Sequence, residues 1–292
     1  MKILVVGRSG QLAMSLAEAA ASIPAYDVIF AGRPDIDLEI AGSAAAAVAG
    51  ARPGLVINAA AYTAVDQAED DLDRALRINA DAAGEIAQAA RTIGATLIHL
   101  STDYVFDGAS PGAYREDAPA CPLNGYGASK LAGEHAVREA AGRHLIIRTS
   151  WVYSPFGHNF VKTMMALADE RDELAVVDDQ RGCPTSAPDL AGALLSIADR
   201  LDGREGLYHL AGTGETSWCG FARRIMSERE RLGLKAAHVR PLASADWPTR
   251  AQRPANSVLD STAFERDFGF RLPDWQHSLR ATVERLARSR AA

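Results

Sequence analysis

Lys2-Ile3-Leu4-Val5-Val6-Gly7-Arg8-Ser9-Gly10-Gln11-Leu12-Ala13 is a short apolar run that breaks on glycine and restarts as a helix. Ile3 to Val6 shows no polar alternation, the pattern of a strand buried on both faces of a parallel sheet. Beyond the glycines, Leu12, Leu16, Ala19, Ala20 and Ile23 recur at helical spacing. A strand, a glycine turn and a helix together aim backbone N–H groups at a phosphate. Gly7 and Gly10 are the glycines of a G-x-x-G-x-x-A pattern. They let a pyrophosphate approach the backbone, although any tight strand-to-helix turn also favours glycine.

Outward from this unit the alternation repeats. Strands are expected at 27–31, 55–58, 96–101 and 145–149, with helices at 41–50 and 72–93 between them. Such an order predicts an α/β fold with right-handed crossovers, a Rossmann-like doubly wound parallel sheet over residues 1–150. From Trp151 the pattern loosens. Helices are expected at 156–170 and 189–201, another running through Glu230 behind a Ser217 cap, and a last one at 275–288. Short strands fall at 173–177 and 207–210, a turn at 179–185, and an irregular basic stretch at 242–259. Residues 151–292 therefore read as a smaller, mainly substrate-binding α/β lobe, with some segments returning to the sheet.

Composition narrows the function classes. A net charge of −6 without a long basic run disfavours a nucleic-acid partner, which needs concentrated positive charge. The three cysteines, Cys121, Cys183 and Cys219, are odd in number and far apart. That spacing points to a reducing compartment and away from a disulfide framework or a thiolate zinc site. The seven histidines include no pair at helical ligand spacing, so no metal site is expected. Nothing approaches the ~20 apolar residues of a membrane span, and a cytoplasmic protein with no membrane partner is expected.

The candidate chemistry gathers where strands end. Leu55 to Asn58 runs into Ala59, Ala60 and Ala61, small side chains over which a cofactor can pass. The 96–101 strand delivers Thr102, a hydroxyl able to hydrogen-bond a carbonyl, or simply one satisfied by backbone. Tyr126 and Lys130 stand four apart, so on a helix they share a face. A surface pair has the same spacing; in a site, the cation is expected to lower the phenol from its ordinary value of about 10. Arg33, just after the 27–31 strand, suits the 2′-phosphate of NADPH, with NADH use left open. Arg250 and Arg253, beside prolines, suit a diphosphate or plain solvation.

Taken together, GRSGQLA, DIDL, INAAAYTAVDQAE, STDYVFDG, YGASKLAGE, RTSWVY with NFVKTM, DDQRGCPT and RAQRPANSVLD resemble the extended short-chain dehydrogenase/reductases. More closely, they resemble the dTDP-4-dehydrorhamnose reductase family, and they spread from Gly7 to Asp260. The resemblance implies reduction of dTDP-4-dehydro-L-rhamnose by NAD(P)H, with Thr102, Tyr126 and Lys130 as the catalytic set. It implies that Gly10, Gln11 and Leu12 cradle the pyrophosphate, that Asp37 and Leu38 border the adenine, and that Ala61, Tyr62 and Thr63 lie along the cofactor. Asp103 and Trp151 are implied near the sugar, and Arg253 at the nucleotide diphosphate. Two departures stand out. Ala13 occupies a position where the family usually has glycine, and Ser15 occupies one where some members carry a glutamate for Mg²⁺ at a dimer interface. A homodimer is compatible with the resemblance, but a metal-bridged one is not expected.

Overall fold

In the first half of the chain, β1 (Lys2–Val6), α1 (Gln11–Ala20), β2 (Asp27–Ala31), α2 (Ser43–Ala51), β3 (Leu55–Asn58), α3 (Leu72–Leu76), α4 (Ala82–Thr92), β4 (Thr96–Thr102), α5 (Gly125–Glu139) and β5 (His144–Thr149) alternate as expected. The second half adds β6 (Val152–Tyr153), α6 (Phe160–Glu170), β7 (Glu173–Val177), β8 (Arg181–Gly182), β9 (Thr185–Ser186), α7 (Ala187–Ile197) and β10 (Gly206–His209). It ends with β11 (Thr216–Ser217), α8 (Trp218–Arg231), β12 (His238–Leu242), α9 (Thr262–Phe268) and α10 (Trp275–Ala291). This is a computed structural model, and it describes every residue except 141, 202 and 292.

Six strands form one parallel sheet in the order β10-β5-β4-β3-β1-β2. The order reverses between β1 and β3, which opens a crevice at their carboxyl ends, where doubly wound sheets bind ligands. The two faces account for the unbroken apolar strands. Ile3, Val5, Leu55, Ile57, Ile98 and Leu145 point toward α1, α7 and α9, into a cluster with Leu16, Leu194 and Phe264. Leu4, Val6, Val56, Leu97 and Ile146 point the other way, onto Val48, Ile86 and Val137 of α2, α4 and α5. Truncating a fully buried member such as Ile57 to alanine costs about 2–5 kcal/mol. A third cluster, around Tyr153, Val161, Met165, Phe221 and Trp275, is the core of the second half. Among the described residues no helix is long and apolar enough to cross a membrane.

Four departures from the sequence expectation have local causes. The helix expected over 72–93 is broken by a π-helical turn at Arg77–Asp81. There the buried Asn79 turns inward and hydrogen-bonds both the backbone N and O of Tyr62 (2.9 and 3.1 Å) and Ser129 Oγ (2.9 Å). Helix α6 starts at Phe160 rather than 156, because Gly157 takes a φ of +59° and Asn159 caps the helix through Lys162 N. Helix α7 starts two residues early, behind the Ser186 cap. Strand β12, in a stretch with no periodic signal, is held by parallel pairing to β7.

Candidate active site

The crevice begins at the first glycine turn. Gly7 has φ +129°, a conformation L side chains rarely adopt, and its N–H bonds Ala31 O at 2.7 Å. Ala13 is fully buried, its methyl 3.6 Å from where a Cβ on Gly7 would lie, so the helix and strand ends pack closely at this turn. Helix α1 starts at Gly10 with no side-chain cap. The N–H groups of its first turn therefore point toward the crevice, a donor set that fits a dinucleotide pyrophosphate.

Only the backbone of Gln11 and Leu12 is available to such a ligand. Leu12 packs into the sheet core. The Gln11 side chain donates to Val152 O (3.2 Å) and accepts from Ser154 Oγ (2.8 Å) and Asn159 Nδ2 (3.0 Å), lashing α1 to the second half.

At the end of β2, Arg33 is exposed and stands 4.0 Å from Glu39. A second cation, without a signal in the sequence, lies at the same place. Arg8 packs so closely on Gly32 that a Cβ there would come within 2.9 Å of its own, and it pairs with Asp35 at 2.6 Å. Asp37 accepts from Glu39 N at 3.0 Å, and Leu38 is buried in the α2/α4/α5 cluster. The strip Ala61, Tyr62 and Thr63 leaves the end of β3 with Tyr62 fixed by Asn79 at both backbone groups. Asn79 is a positioning residue without a sequence signal, since its inward turn depends on the π-helical step.

Helix α5 lies unusually close to its neighbours, and its glycines are the reason. A Cβ on Gly127 would meet Tyr104 O at 2.1 Å, and one on Gly133 would meet Asn79 O at 2.0 Å. Asn124 caps the helix by accepting from Gly127 N at 2.8 Å and donates to Gln252 O at 2.8 Å. This packing brings Tyr126 and Lys130 to the end of β4, beside Thr102.

Thr102 is buried, its Oγ1 donating to Asp103 Oδ1 at 3.1 Å and accepting from Tyr104 N at 3.2 Å. Burial pushes the Tyr126 phenol up to about 12; its hydrogen bond with Thr102 pulls it down and the charge of Asp103 pushes it further up. The expected lowering by Lys130 is not found. Lys130 is 2% exposed and turns its Nζ to Leu100 O at 2.6 Å, and burial brings it down to about 8 against the opposing charge of Glu134. At neutral pH the pair is therefore a protonated phenol beside an ammonium.

The three residues implied for the substrate are each held differently. Asp103 is buried, with Oδ2 unpartnered in the protein; burial raises it to about 7, while hydrogen bonds from Ser257 and Thr102 lower it. Trp151 has φ +46° and stacks on Trp218 with ring centroids 3.6 Å apart. Gly182 makes the room: a Cβ there would come within 2.4 Å of the Trp151 indole. Arg253 is paired to Asp66 (3.1 and 2.7 Å) and also hydrogen-bonds Tyr104, whose ring lies edge-on to Tyr126 at 5.9 Å. Asp66 and Trp218 are not singled out by the sequence, and only their partners mark them.

Comparison with known proteins identifies the family. The family model described as the RmlD substrate binding domain matches residues 1–288. A protein of Sinorhizobium fredii named dTDP-4-dehydrorhamnose reductase is 44% identical over 288 residues, 97% of each chain. A crystal structure of a dTDP-4-dehydrorhamnose reductase from Clostridium acetobutylicum superposes with a TM-score of 0.92 at 36% identity, covering 98% of this chain and 100% of that one. The Bacillus anthracis dTDP-4-dehydrorhamnose reductase, solved in complex with NADP, gives 0.90 at 35% identity, covering 97% and 99%. The resemblance carried by eight motifs thus extends over the whole chain. The protein belongs to the RmlD substrate-binding-domain family, that of the dTDP-4-dehydrorhamnose reductases.

Proposed function

We propose that the protein is an NADPH-dependent reductase that converts dTDP-4-dehydro-L-rhamnose to dTDP-L-rhamnose, with Tyr126 as general acid. The observation that carries the reading is the placement of the Tyr126 phenol beside the Thr102 hydroxyl at the end of β4, one helical turn from the buried Lys130. Reduction of a ketone needs a proton donor at the oxygen, and a phenol that keeps its proton at neutral pH meets that need. The uncapped start of α1, the Ala61–Thr63 strip and the cations Arg8 and Arg33 suit NADPH.

When bound, the nicotinamide supplies hydride to C4 of the sugar. Charge then develops on the C4 oxygen, and Tyr126 Oη gives that oxygen its proton. Thr102 Oγ1, its proton turned from Asp103 Oδ1 to the same oxygen, donates a hydrogen bond there, an interaction whose loss typically costs about 3 kcal/mol of transition-state stabilisation. The Lys130 ammonium would stabilise the phenolate left behind, and its remaining donors would hold the nicotinamide ribose. Asp103 Oδ2, unpartnered and buried, suits a sugar hydroxyl, the Trp151–Trp218 stack suits the sugar's apolar face, and Arg253 suits the diphosphate.

The test is loss of reduced-nicotinamide absorbance on adding dTDP-4-dehydro-L-rhamnose, with identification of the product. One equivalent of dTDP-L-rhamnose per NADPH consumed is expected. Interconversion of 4-epimers without net consumption of cofactor would overturn the reading.

A further inference from the structure

Beneath the candidate catalytic pair lies an ionic cluster with no role in the mechanism above. Glu134, four residues and one helical turn after Lys130, is fully buried. Its carboxylate takes both prongs of the buried Arg148 on β5, Nε to Oε1 at 2.8 Å and Nη2 to Oε2 at 2.7 Å. It also accepts from Ser101 Oγ on β4 at 2.6 Å and from Arg138 at 3.2 Å. Arg148 lies across from Ser101 in the sheet register, with Phe106 under its guanidinium at 5.0 Å.

A buried ion pair is a poor device for stability alone, because an apolar replacement of the same volume often does as well or better. Its position suggests a different use. Lys130 is buried and hydrogen-bonds a carbonyl, not a carboxylate.

We infer that Glu134, clamped by Arg148 and Ser101, is a positioning residue whose fixed negative charge keeps Lys130 protonated beneath Tyr126. The inference rests on the catalytic reading of Tyr126 and Lys130.

The charged and titratable groups around the two side chains are few. On α5 itself they are Tyr126 and the half-exposed Arg138. From β4 comes His99, held neutral by burial and by Lys130, and just beyond that strand Asp103. From β5 comes Arg148, with His209 of β10 beside it, also held neutral by burial. From the π-helical turn comes only the amide of Asn79. Asp103 belongs to the sugar side and is partly protonated near neutrality, which leaves Glu134, held below its ordinary value against the effect of burial by Arg148 and Ser101, as the ionised carboxylate acting on Lys130 among the described residues.

The consequence is read in the alkaline limb of the pH profile of kcat/KM at saturating NADPH. Active enzyme needs the phenol and the ammonium both protonated, and Lys130 loses its proton first. Glu134→Gln is expected to move the limb to lower pH by about one unit, the direction expected when an opposite charge is removed. Glu134→Asp, which keeps the carboxylate, is expected to leave the limb near its original pH, whatever it does to stability. Should Glu134→Gln alone fail to fold with Arg148 unpaired, the double variant Glu134→Gln/Arg148→Met removes both charges, and a smaller acidward shift is expected, since loss of the Arg148 cation opposes it. An unmoved limb in a folded Gln variant would reduce the cluster to a structural role and overturn the inference. Lys130→Met separates the two levels: retained turnover there would defeat the catalytic reading itself, whereas lost turnover with an unmoved Glu134→Gln limb would defeat only the inference.

Discussion

At the scale of single residues, position alters chemistry more than residue type does. Tyr126 and Lys130 are legible in the sequence as a spaced pair, but the direction of their titration is not. Spacing suggests a phenol lowered by its cation; burial reverses this and leaves the phenol at about 12. The sequence contains no signal for desolvation, because the groups that bury Tyr126 come from other segments. Asp103 shows what this placement costs the fold. Its carboxyl is raised from 3.8 to about 7, so between those values the folded state holds a proton that the unfolded state has released. Stability contributed by this group is therefore present at low pH and is lost as pH rises through that window. Asp103→Asn is predicted to melt above the parent, with an advantage that grows from about pH 4 to about pH 7 and is flat beyond, while reduction of the keto sugar falls. Thermal melts of both proteins across that range decide it, and a constant difference would remove Asp103 as the source.

At the scale of elements, the five strands of the first half are legible because each is a short, largely apolar run flanked by turn residues; in β1, β3, β4 and β5 that run is covered on both faces, while β2 at the sheet edge stays partly exposed. The features that contact creates are not legible. The π-helical turn directs Asn79 inward to serve Tyr62, and nothing in Arg77 to Asp81 distinguishes it from ordinary helix. Strand β12 exists because β7 pairs with it. In the sequence Arg8 only interrupts an apolar run, since its packing on Gly32 depends on β1 and β2 being neighbours. Asn79→Ala tests the first of these. It leaves the Tyr62 N–H and C=O without their partner, which predicts a stability loss of about 1–3 kcal/mol. NADPH affinity is expected to weaken with it, as the Ala61–Thr63 strip loosens. Denaturant titration together with cofactor binding checks both, and an unchanged dissociation constant would detach Asn79 from the cofactor strip.

At the scale of the whole molecule, the two halves of the sequence do not stay apart. β10 extends the sheet built by the first half, α7 and α9 cover its face, and Gln11 reaches back from the first helix to Val152, Ser154 and Asn159. Asp66, from the first half, holds Arg253 of the second. In the proposed function Tyr126 works between the glycine turn that would hold the cofactor and the residues, Trp151, Asp103 and Arg253, that would hold the sugar nucleotide. The central claim is that the reaction crosses that junction through one phenolic proton. The most direct measurement is NADPH-dependent turnover of dTDP-4-dehydro-L-rhamnose by Tyr126→Phe, alongside the NADPH dissociation constant of the same variant. Turnover reduced by at least about 100-fold with cofactor affinity nearly unchanged is the predicted result. Turnover close to the parent's, with the cofactor bound as tightly, would contradict it.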